Sequence, residues 1–290
     1  MKIKETHIVP AVTKKVRLQE YAVSIFSSIR TRSGIKKAIK KGLLLIDGKK
    51  AHTSHWIAEG QKIELLQQEI PQKKIFRLKL NILFEDEHLA VVHKPSGYPT
   101  SGNYFKTIEN ALAFNLKPSH MVDALMYPLP VHRLDNPTSG ILLCAKTRTA
   151  LTGLQDAFRL KAVKKTYNAL VKGEIPKPKV ISSDIDGKNA STKISPQEIL
   201  KIKHRKYTLA EVIPLTGRTH QIRIHLARNK TPIIGDKLYG KEETEDFFSS
   251  KNLYLFAVKI SFAHPVNEEQ MNFAIRLPKK VRNLLSNRVD

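Results

Sequence analysis

The chain has 290 residues, 41% of them hydrophobic and 26% charged, which is enough for two domains of ordinary globular composition. Its 50 Lys and Arg residues outnumber its 26 Asp and Glu residues, and the net charge of +24 indicates a polyanionic partner, usually nucleic acid. No apolar run approaches the ~18 residues of a transmembrane helix, and the opening MKIKETHIVP lacks the apolar stretch of a signal peptide. We therefore expect a cytoplasmic protein that does not contact a membrane.

Residues that hold cofactors or metals are sparse in this chain. The single cysteine, Cys144, excludes an internal disulfide and a multi-thiolate zinc site, and its apolar neighbours indicate a buried structural thiol. The 11 histidines show no metal-ligand spacing, and neither a GxGxxG nor a GxxxxGKS/T motif occurs. We expect no metal, no nucleotide cofactor, and chemistry carried out by side chains alone.

The first predicted elements are two short helices followed by strands. Apolar residues at helical spacing predict a helix over residues 18–29. Ser33 is the expected N-cap of a second helix, which Gly42 ends in a left-handed conformation. Downstream, the pattern predicts a strand over residues 43–46, a turn at Asp47-Gly48 and a strand over residues 63–65.

The outer face of the second predicted helix is strongly basic, while its inner face is apolar. Four lysines on one helix usually form no more than a solvated surface. Here the lysines point one way, two arginines precede them, and Gly34 lets a backbone approach closely, which suits contact with phosphates. The candidate RNA-binding residues, called the cationic ridge below, are Arg30, Arg32, Lys36, Lys37, Lys40 and Lys41.

The segments RTRSGIKKAIKKG and LLLIDGK, within residues 15–68, resemble the small RNA-binding module named after small-subunit ribosomal protein four. The resemblance implies binding to structured RNA. We assign residues 1–68 to this module, residues 69–80 to a linker, and residues 81–290 to a second, catalytic domain.

The second domain alternates short apolar strands with loops and has few long helices. Residues 147–160 predict a helix with one apolar face. This order of elements predicts an α+β domain around a mixed, mostly antiparallel sheet. The predicted strands cover residues 89–92, 140–145, 163–171, 207–213, 253–262 and 273–277.

A polar loop, HRLDNPTSG at residues 132–140, leads into one of these strands. Rigid structure on either side would hold its carboxylate, Asp135, and leave it accessible to a ligand. Asn136-Pro137 is also a pair typical of turns. Considered by itself, the loop therefore fits an aspartate that only forms a turn. The other segments of the domain decide between these interpretations.

Five segments, in order, resemble the RluA-type pseudouridine synthases, which modify large-subunit ribosomal RNA and some transfer RNA. They are LAVVHKPSG, HRLDNPTSGILLCAKT, KTYNALVKG, TGRTHQIRIHLA with PIIGDKLYG, and LFAVKISFAHP. The chain departs from many family members at His93, Asn136-Pro137 and Ser101-Gly102, which flank the chemistry and bear on substrate recognition. Residues 103–130 and 174–206 match no family segment.

The resemblance implies a reaction that breaks the C1′–N1 bond of uridine and rejoins uracil to ribose through C5, with nothing added or lost. It implies that Asp135 is the nucleophile and that Arg223 lies against it and favours its charged form. It also implies that Tyr167 stacks on uracil and serves as a general base. Without the resemblance, Arg223 fits a basic RNA-facing surface, and Tyr167 fits a core aromatic on a strand.

The flipped uridine must leave its stack, and the resemblance implies that Arg133 fills the vacated space. Arg133 and Ile222 are the candidate substrate-binding residues, while His132 and Leu134 are expected to support the loop. Apolar alternation around Ile222 fits a strand, whereas the family implies a helix that starts near Thr219; the pattern alone does not decide.

We predict a monomeric RNA pseudouridine synthase with large-subunit ribosomal RNA as the preferred target and transfer RNA as the second choice. Attack at C1′ and a glycal intermediate both fit the sequence. A non-catalytic RNA-binding or ribosome-assembly protein fits the charge equally well, but would not need Asp135, Tyr167 and Arg223 together. A metal-dependent nuclease or a glycosidase would need further carboxylates, and Asp236 belongs to a separate loop.

Overall fold

The computed structural model describes residues 2–11, 15–67, 74–202, 204–240 and 252–286. The chain divides into two units, residues 1–72 and residues 73–290. Residues 69–73 of the predicted linker lie outside the described residues, and residues 74–80 form neither helix nor strand.

The first unit packs two helices on a small sheet around one apolar core. In the described residues this sheet has the order β1-β4-β2-β3, with every pair antiparallel. The sequence predicted no strand at β1, an edge strand whose sequence IKETHI has no buried residue. The elements are β1 Ile3–Ile8, α1 Leu18–Ile25, α2 Arg32–Lys40, β2 Leu44–Ile46, β3 Lys49–Lys50 and β4 Lys62–Leu66.

The first helix is shorter than predicted. It ends at Ile25, not at residue 29, because Phe26 is extended (φ −109°, ψ 125°). The next two backbone amides, of Ser27 and Ser28, donate to the Glu5 carboxylate at 2.8 and 3.2 Å. A carboxylate distant in sequence therefore competes with the helix for its backbone donors.

The second helix begins earlier than predicted. Thr31, not Ser33, is the N-cap, because Thr31 is extended and its Oγ1 accepts the Gly34 N–H at 3.1 Å. Gly34 was expected to let a backbone approach closely, but the atoms that crowd it are in side chains. Ile29 Cγ2 would lie 2.7 Å from an added Cβ. Gly42 follows the helix with φ +66°, as predicted.

The second unit is built on one large sheet, which confirms the α+β class. Its order in the described residues is β10-β11-β12-β9-β13-β8-β6-β5, with β14 beside β13 and β7 beside β8. Only β8 and β13 pair in parallel within this described sheet. The strands are β5 Asn81–Glu85, β6 Leu89–Lys94, β7 Ala124–Pro130, β8 Ser139–Thr147, β9 Lys164–Lys172, β10 Lys179–Ser182, β11 Ser191–Ile202, β12 Arg205–Pro214, β13 Leu255–Ala263 and β14 Gln270–Ala274. The helices are α3 Ile108–Asn115, α4 Arg148–Arg159, α5 Gln221–Arg228 and α6 Lys279–Ser286.

The structure settles one open prediction in this unit and corrects another. The segment around Ile222 is the helix α5, so the helical alternative holds. The last strand is Gln270–Ala274, and the prediction of residues 273–277 was wrong because pairing with β13 starts at Gln270 and ends at Ala274. The apolar residues beyond it, Ile275 and Leu277, pack on the core instead.

Strand β8 lies inside the sheet, between β13 and β6, and is buried on both faces. Ile141 and Leu143 pack in one apolar cluster, whereas Leu142 and Cys144 pack in another, so the cysteine is the buried thiol predicted. At its start, Gly140 has φ +135°, and an added Cβ would lie 2.3 Å from the Ala257 carbonyl oxygen. Only glycine fits there, and its position fixes where the preceding polar loop leaves the sheet.

Candidate active site

Hydrogen bonds hold the polar loop that carries Asp135. The Thr138 N–H donates to the Asp135 carbonyl at 3.0 Å, and the Gly97 N–H donates to the Asn136 carbonyl at 2.9 Å. The loop is thereby attached to the turn that follows β6. The Asp135 side chain keeps 17% of its surface exposed, which leaves the carboxylate open to a ligand.

A buried lysine, Lys94, also holds this loop by hydrogen bonds. Its Nζ donates to the carbonyl oxygens of Pro95 and Asn136 at 3.1 Å and of Thr138 at 2.8 Å. Burial lowers the pKa of Lys94 to about 8, although the charge of Asp135 opposes the shift. At neutral pH the ammonium is therefore protonated and has the three N–H groups that these bonds need.

We expect Lys94→Met to lower both the stability and the turnover of the protein. Three buried carbonyl groups would lose their donor, at a cost of about 2 kcal/mol in the free energy of unfolding. The Asp135 loop would lose its support, so the reaction at Asp135 should slow more than the stability loss explains. Urea unfolding and single-turnover rates measure the two effects.

Lys146 offers a matched control near the opposite end of β8. It is also buried, and its Nζ donates to Glu85 Oε1 at 2.8 Å and to the Asp86 carbonyl at 2.5 Å. Lys146→Met should destabilise the protein comparably without affecting turnover. Equal rate losses in the two variants would contradict a specific role for Lys94.

The residues beside Asp135 also fix the loop, as predicted for His132 and Leu134. The Thr100 hydroxyl donates to the Leu134 carbonyl at 3.0 Å and accepts the Leu134 N–H at 3.1 Å. His132 Nε2 accepts the Leu143 N–H at 3.0 Å, and its ring stacks on Phe158. Burial, and then the charge of Lys165, lower the pKa of His132 to about 3, so its ring is neutral and can accept this bond.

Arg223, on α5, lies between two carboxylates. Its Nη1 is 3.5 Å from Asp135 Oδ2, as the family resemblance implied. Its shorter bonds go to Asp236, with Nε 2.9 Å from Oδ2 and Nη2 2.7 Å from Oδ1. The bidentate pair with Asp236 therefore aims the guanidinium, and the remaining nitrogen faces Asp135.

Asp236 is one of the residues that sequence reasoning missed. It belongs to a separate loop, as expected, but that loop follows α5 and brings Asp236 against Arg223. Burial opposes its ionisation, but Arg223 and the Leu238 and Tyr239 backbone amides outweigh burial and lower the pKa of Asp236. The sequence feature that could have identified Asp236 is its position in PIIGDKLYG, a segment that resembles the family.

His220, to which the sequence assigned no role, lies at the N-terminal end of α5. Its backbone is left-handed (φ 54°), and its Nε2 is 3.9 Å from Asp135 Oδ1. Its Nδ1 and the Tyr239 hydroxyl share a hydrogen bond of 2.9 Å. Asp135 thus faces a histidine as well as an arginine.

Two cavities meet at this carboxylate, with volumes of about 370 and 930 Å³. Both are lined by Arg133, Leu134, Asp135, His220 and Arg223, and the larger one also by Tyr167 and Ile222. The structure therefore brings together all five candidate catalytic and substrate-binding residues. Arg133 is exposed, whereas Ile222 is buried beneath the cavity surface.

Tyr167, on β9, lies partly buried in the wall of the larger cavity. Burial, and then the negative charge of Asp135, raise the pKa of Tyr167 well above its ordinary value. Its hydroxyl is therefore protonated at neutral pH. Stacking and hydrogen-bond donation need no ionisation, whereas action as a base would first require an ionisation that the buried site disfavours.

The cationic ridge lies on the first unit and is exposed along its whole length. Its buried side consists of Ile35, Ala38 and Ile39, so the lysines point outward as predicted. Arg32 is less available than expected, because its Nη2 pairs with Glu20 at 2.8 Å.

The described residues were also searched for metal-binding clusters and for membrane-spanning helices. No group of three or more His, Cys, Asp or Glu side chains there is placed to hold a metal ion. No helix in the same ranges has the length and apolar character to cross a membrane.

Comparison with known proteins agrees with this geometry. Residues 88–228 match the family model for RNA pseudouridylate synthase. An uncharacterized RNA pseudouridine synthase from Aquifex aeolicus is 31% identical over 315 aligned residues, covering 99% of this chain and 98% of that protein. Ribosomal large subunit pseudouridine synthase C from Vibrio parahaemolyticus is 32% identical and covers 88% of this chain and 87% of its own.

Among solved structures, human RNA pseudouridylate synthase domain containing 4 superposes with a TM-score of 0.57 at 25% identity. The superposition covers 71% of this chain and 92% of the human chain. The matched family model includes the loop of Asp135, the strand of Tyr167 and the helix of Arg223. The chain belongs to the RluA-type RNA pseudouridine synthases.

Proposed function

We propose that this enzyme converts specific uridines of large-subunit ribosomal RNA to pseudouridine, with Asp135 as the nucleophile. The observation that carries the proposal is the partly exposed Asp135 carboxylate, which lies where two cavities meet and faces Arg223. The Vibrio parahaemolyticus relative, whose name specifies the large ribosomal subunit, supports the choice of RNA.

Arg223 and Asp236 prepare the nucleophile. A guanidinium 3.5 Å from Asp135 favours the ionised carboxylate, the form that can attack carbon. Asp236 holds the guanidinium in one orientation, so Arg223 does not fold over Asp135 and block it. The carboxylate then either bonds to C1′ as the C1′–N1 bond breaks, or takes a proton from C2′ to give a glycal.

The remaining steps preserve every atom of the nucleotide. The freed uracil turns, and C5 bonds to C1′ as the Asp135–C1′ bond breaks or, on the glycal path, as Asp135 returns the proton to C2′. The C5 proton is then lost, and N1 takes up a proton. Tyr167 stacks on the base in the larger cavity, and its hydroxyl takes part in the proton transfers at the sugar. Arg133 is exposed beside Asp135 and fills the space that the flipped base leaves in the RNA.

The test is to map pseudouridine across total RNA from cells with and without the protein, then to restore it by adding the purified enzyme. Loss and recovery at one or more large-subunit ribosomal positions support the proposal. Loss confined to transfer RNA would replace the proposed substrate. An unchanged map would refute the proposed function.

The cationic ridge is expected to supply RNA affinity and not catalysis. Changing Lys36, Lys37, Lys40 and Lys41 together to Ala should flatten the plot of log K against log salt by about 0.7 for each phosphate that the variant no longer neutralises. Binding isotherms on a large-subunit ribosomal RNA fragment at several salt concentrations measure this slope. An unchanged slope would show that this helix does not bind the RNA.

A further inference from the structure

The larger cavity is a basic groove with an uneven distribution of charge. Of the described residues that line it, Asp135 is the only carboxylate. The cations outside the Asp135–Arg223 pair are Arg133, Arg159, Lys161, Lys164, Lys165 and Arg218. Most of these are exposed, and Arg159 already pairs with Asp156. Lys165 differs, because it is partly buried inside the groove wall.

Lys165 lies on β9, two residues before Tyr167. Side chains two apart on a strand point to the same face, about 6.6 Å from each other along the chain. The Lys165 ammonium is 5.4 Å from the centre of the Phe158 ring. The same ring stacks on the neutral ring of His132. Within the described residues, Lys165 Nζ makes neither a hydrogen bond nor an ion pair.

The two fully buried lysines of this unit, in contrast, have hydrogen-bond partners. Lys94 donates to three carbonyl groups, and Lys146 donates to a carboxylate and a carbonyl. An ammonium taken out of water without such partners is destabilising, and a cation–π contact offsets only part of the penalty. Burial accordingly lowers the pKa of Lys165, and no carboxylate opposes the shift.

We propose that Lys165 binds a backbone phosphate of the RNA next to the flipped uridine. A phosphate supplies the anion and the acceptor oxygens that this ammonium lacks, and Lys165 shares a strand face with the residue that contacts the base. The proposal rests on the proposed function, because it takes the nucleotide at Asp135 to be part of an RNA strand.

The test is a coupling experiment between Lys165 and single phosphates. The probes are synthetic RNA oligonucleotides that contain the mapped uridine, either unmodified or with one phosphate near it replaced by a neutral methylphosphonate. Dissociation constants are measured for wild type and for Lys165→Met, which keeps the length of the side chain and removes its charge. At one position, replacement of the phosphate by the methylphosphonate should weaken RNA binding by wild type about tenfold to a hundredfold. The same replacement should leave the dissociation constant of Lys165→Met unchanged.

Lys165→Arg retains the charge and should retain the coupling at the same position. Lys117→Met removes one exposed charge outside both cavities and should show every phosphonate effect that wild type shows. Should Lys165→Met unfold, Lys165→Gln takes its place. Equal phosphonate effects in wild type and the Lys165 variant at every position would overturn the proposal.

The readout separates this inference from the proposed function. The coupling is measured in binding, and pseudouridine formation is followed on the same oligonucleotides. If wild type forms pseudouridine but shows no coupling between Lys165 and any phosphate, only the proposed role of Lys165 is rejected. Coupling without turnover would keep the phosphate contact and reject the proposed reaction on that RNA.

Discussion

Asp135→Asn is expected to abolish pseudouridine formation while the protein stays folded and binds RNA. The amide is nearly isosteric with the carboxylate, and the loop is held by backbone and side-chain bonds that the change leaves in place. What disappears is the negative charge and with it the nucleophile. No other described carboxylate lines either cavity, so no neighbouring group can replace it.

The effect on stability should be small. Arg223 gives up its 3.5 Å interaction with the Asp135 side chain but keeps both bonds to Asp236, so we expect a change of about 1 kcal/mol or less. RNA affinity should be unchanged or slightly higher, since an anion is removed from the site of an anionic ligand. Pseudouridine content after incubation, measured with a binding isotherm, gives both results. Substantial pseudouridine from the Asn protein would remove Asp135 from the role of nucleophile.

Tyr167→Phe is expected to slow turnover by about 10²–10⁴-fold, the usual contribution of a proton-transfer group, with little change in RNA binding. The phenylalanine ring can still stack on uracil, and the buried wall of the groove keeps its packing. Only the hydroxyl is removed. Single-turnover rates at saturating enzyme isolate this step from binding.

Tyr254→Phe provides the control, because Tyr254 is a tyrosine of the second unit that is buried but lines neither cavity. It should react at the wild-type rate. A Tyr167→Phe enzyme as fast as this control would show that the ring alone matters and that the proton moves by another route. Because the pKa of Tyr167 is raised, its phenol should stay protonated beyond pH ~10, at which an ordinary tyrosine ionises, and a spectroscopic titration checks this.

The sequence by itself determined the class of fold and about half of its elements. Short apolar runs identified β6, β8, β9, β12 and β13, and helical spacing identified α4, each to within a few residues, because buried faces require apolar side chains. Asp135 was found because the loop matches a family segment, and Gly42 because helix ends favour a left-handed glycine. The cationic ridge was evident from spacing alone.

Only the tertiary structure decided the interactions between residues far apart in the chain. The edge strand β1 has no apolar pattern, and the end of α1 depends on Glu5, so neither is visible in local sequence. The pairing of Arg223 with Asp236, the three carbonyl groups around Lys94 and the absence of a described partner for Lys165 likewise depend on packing. A hydrophobic pattern records which face of an element is buried, but a hydrogen bond or an unpaired charge depends on which groups the folded chain brings within about 3 Å of each other.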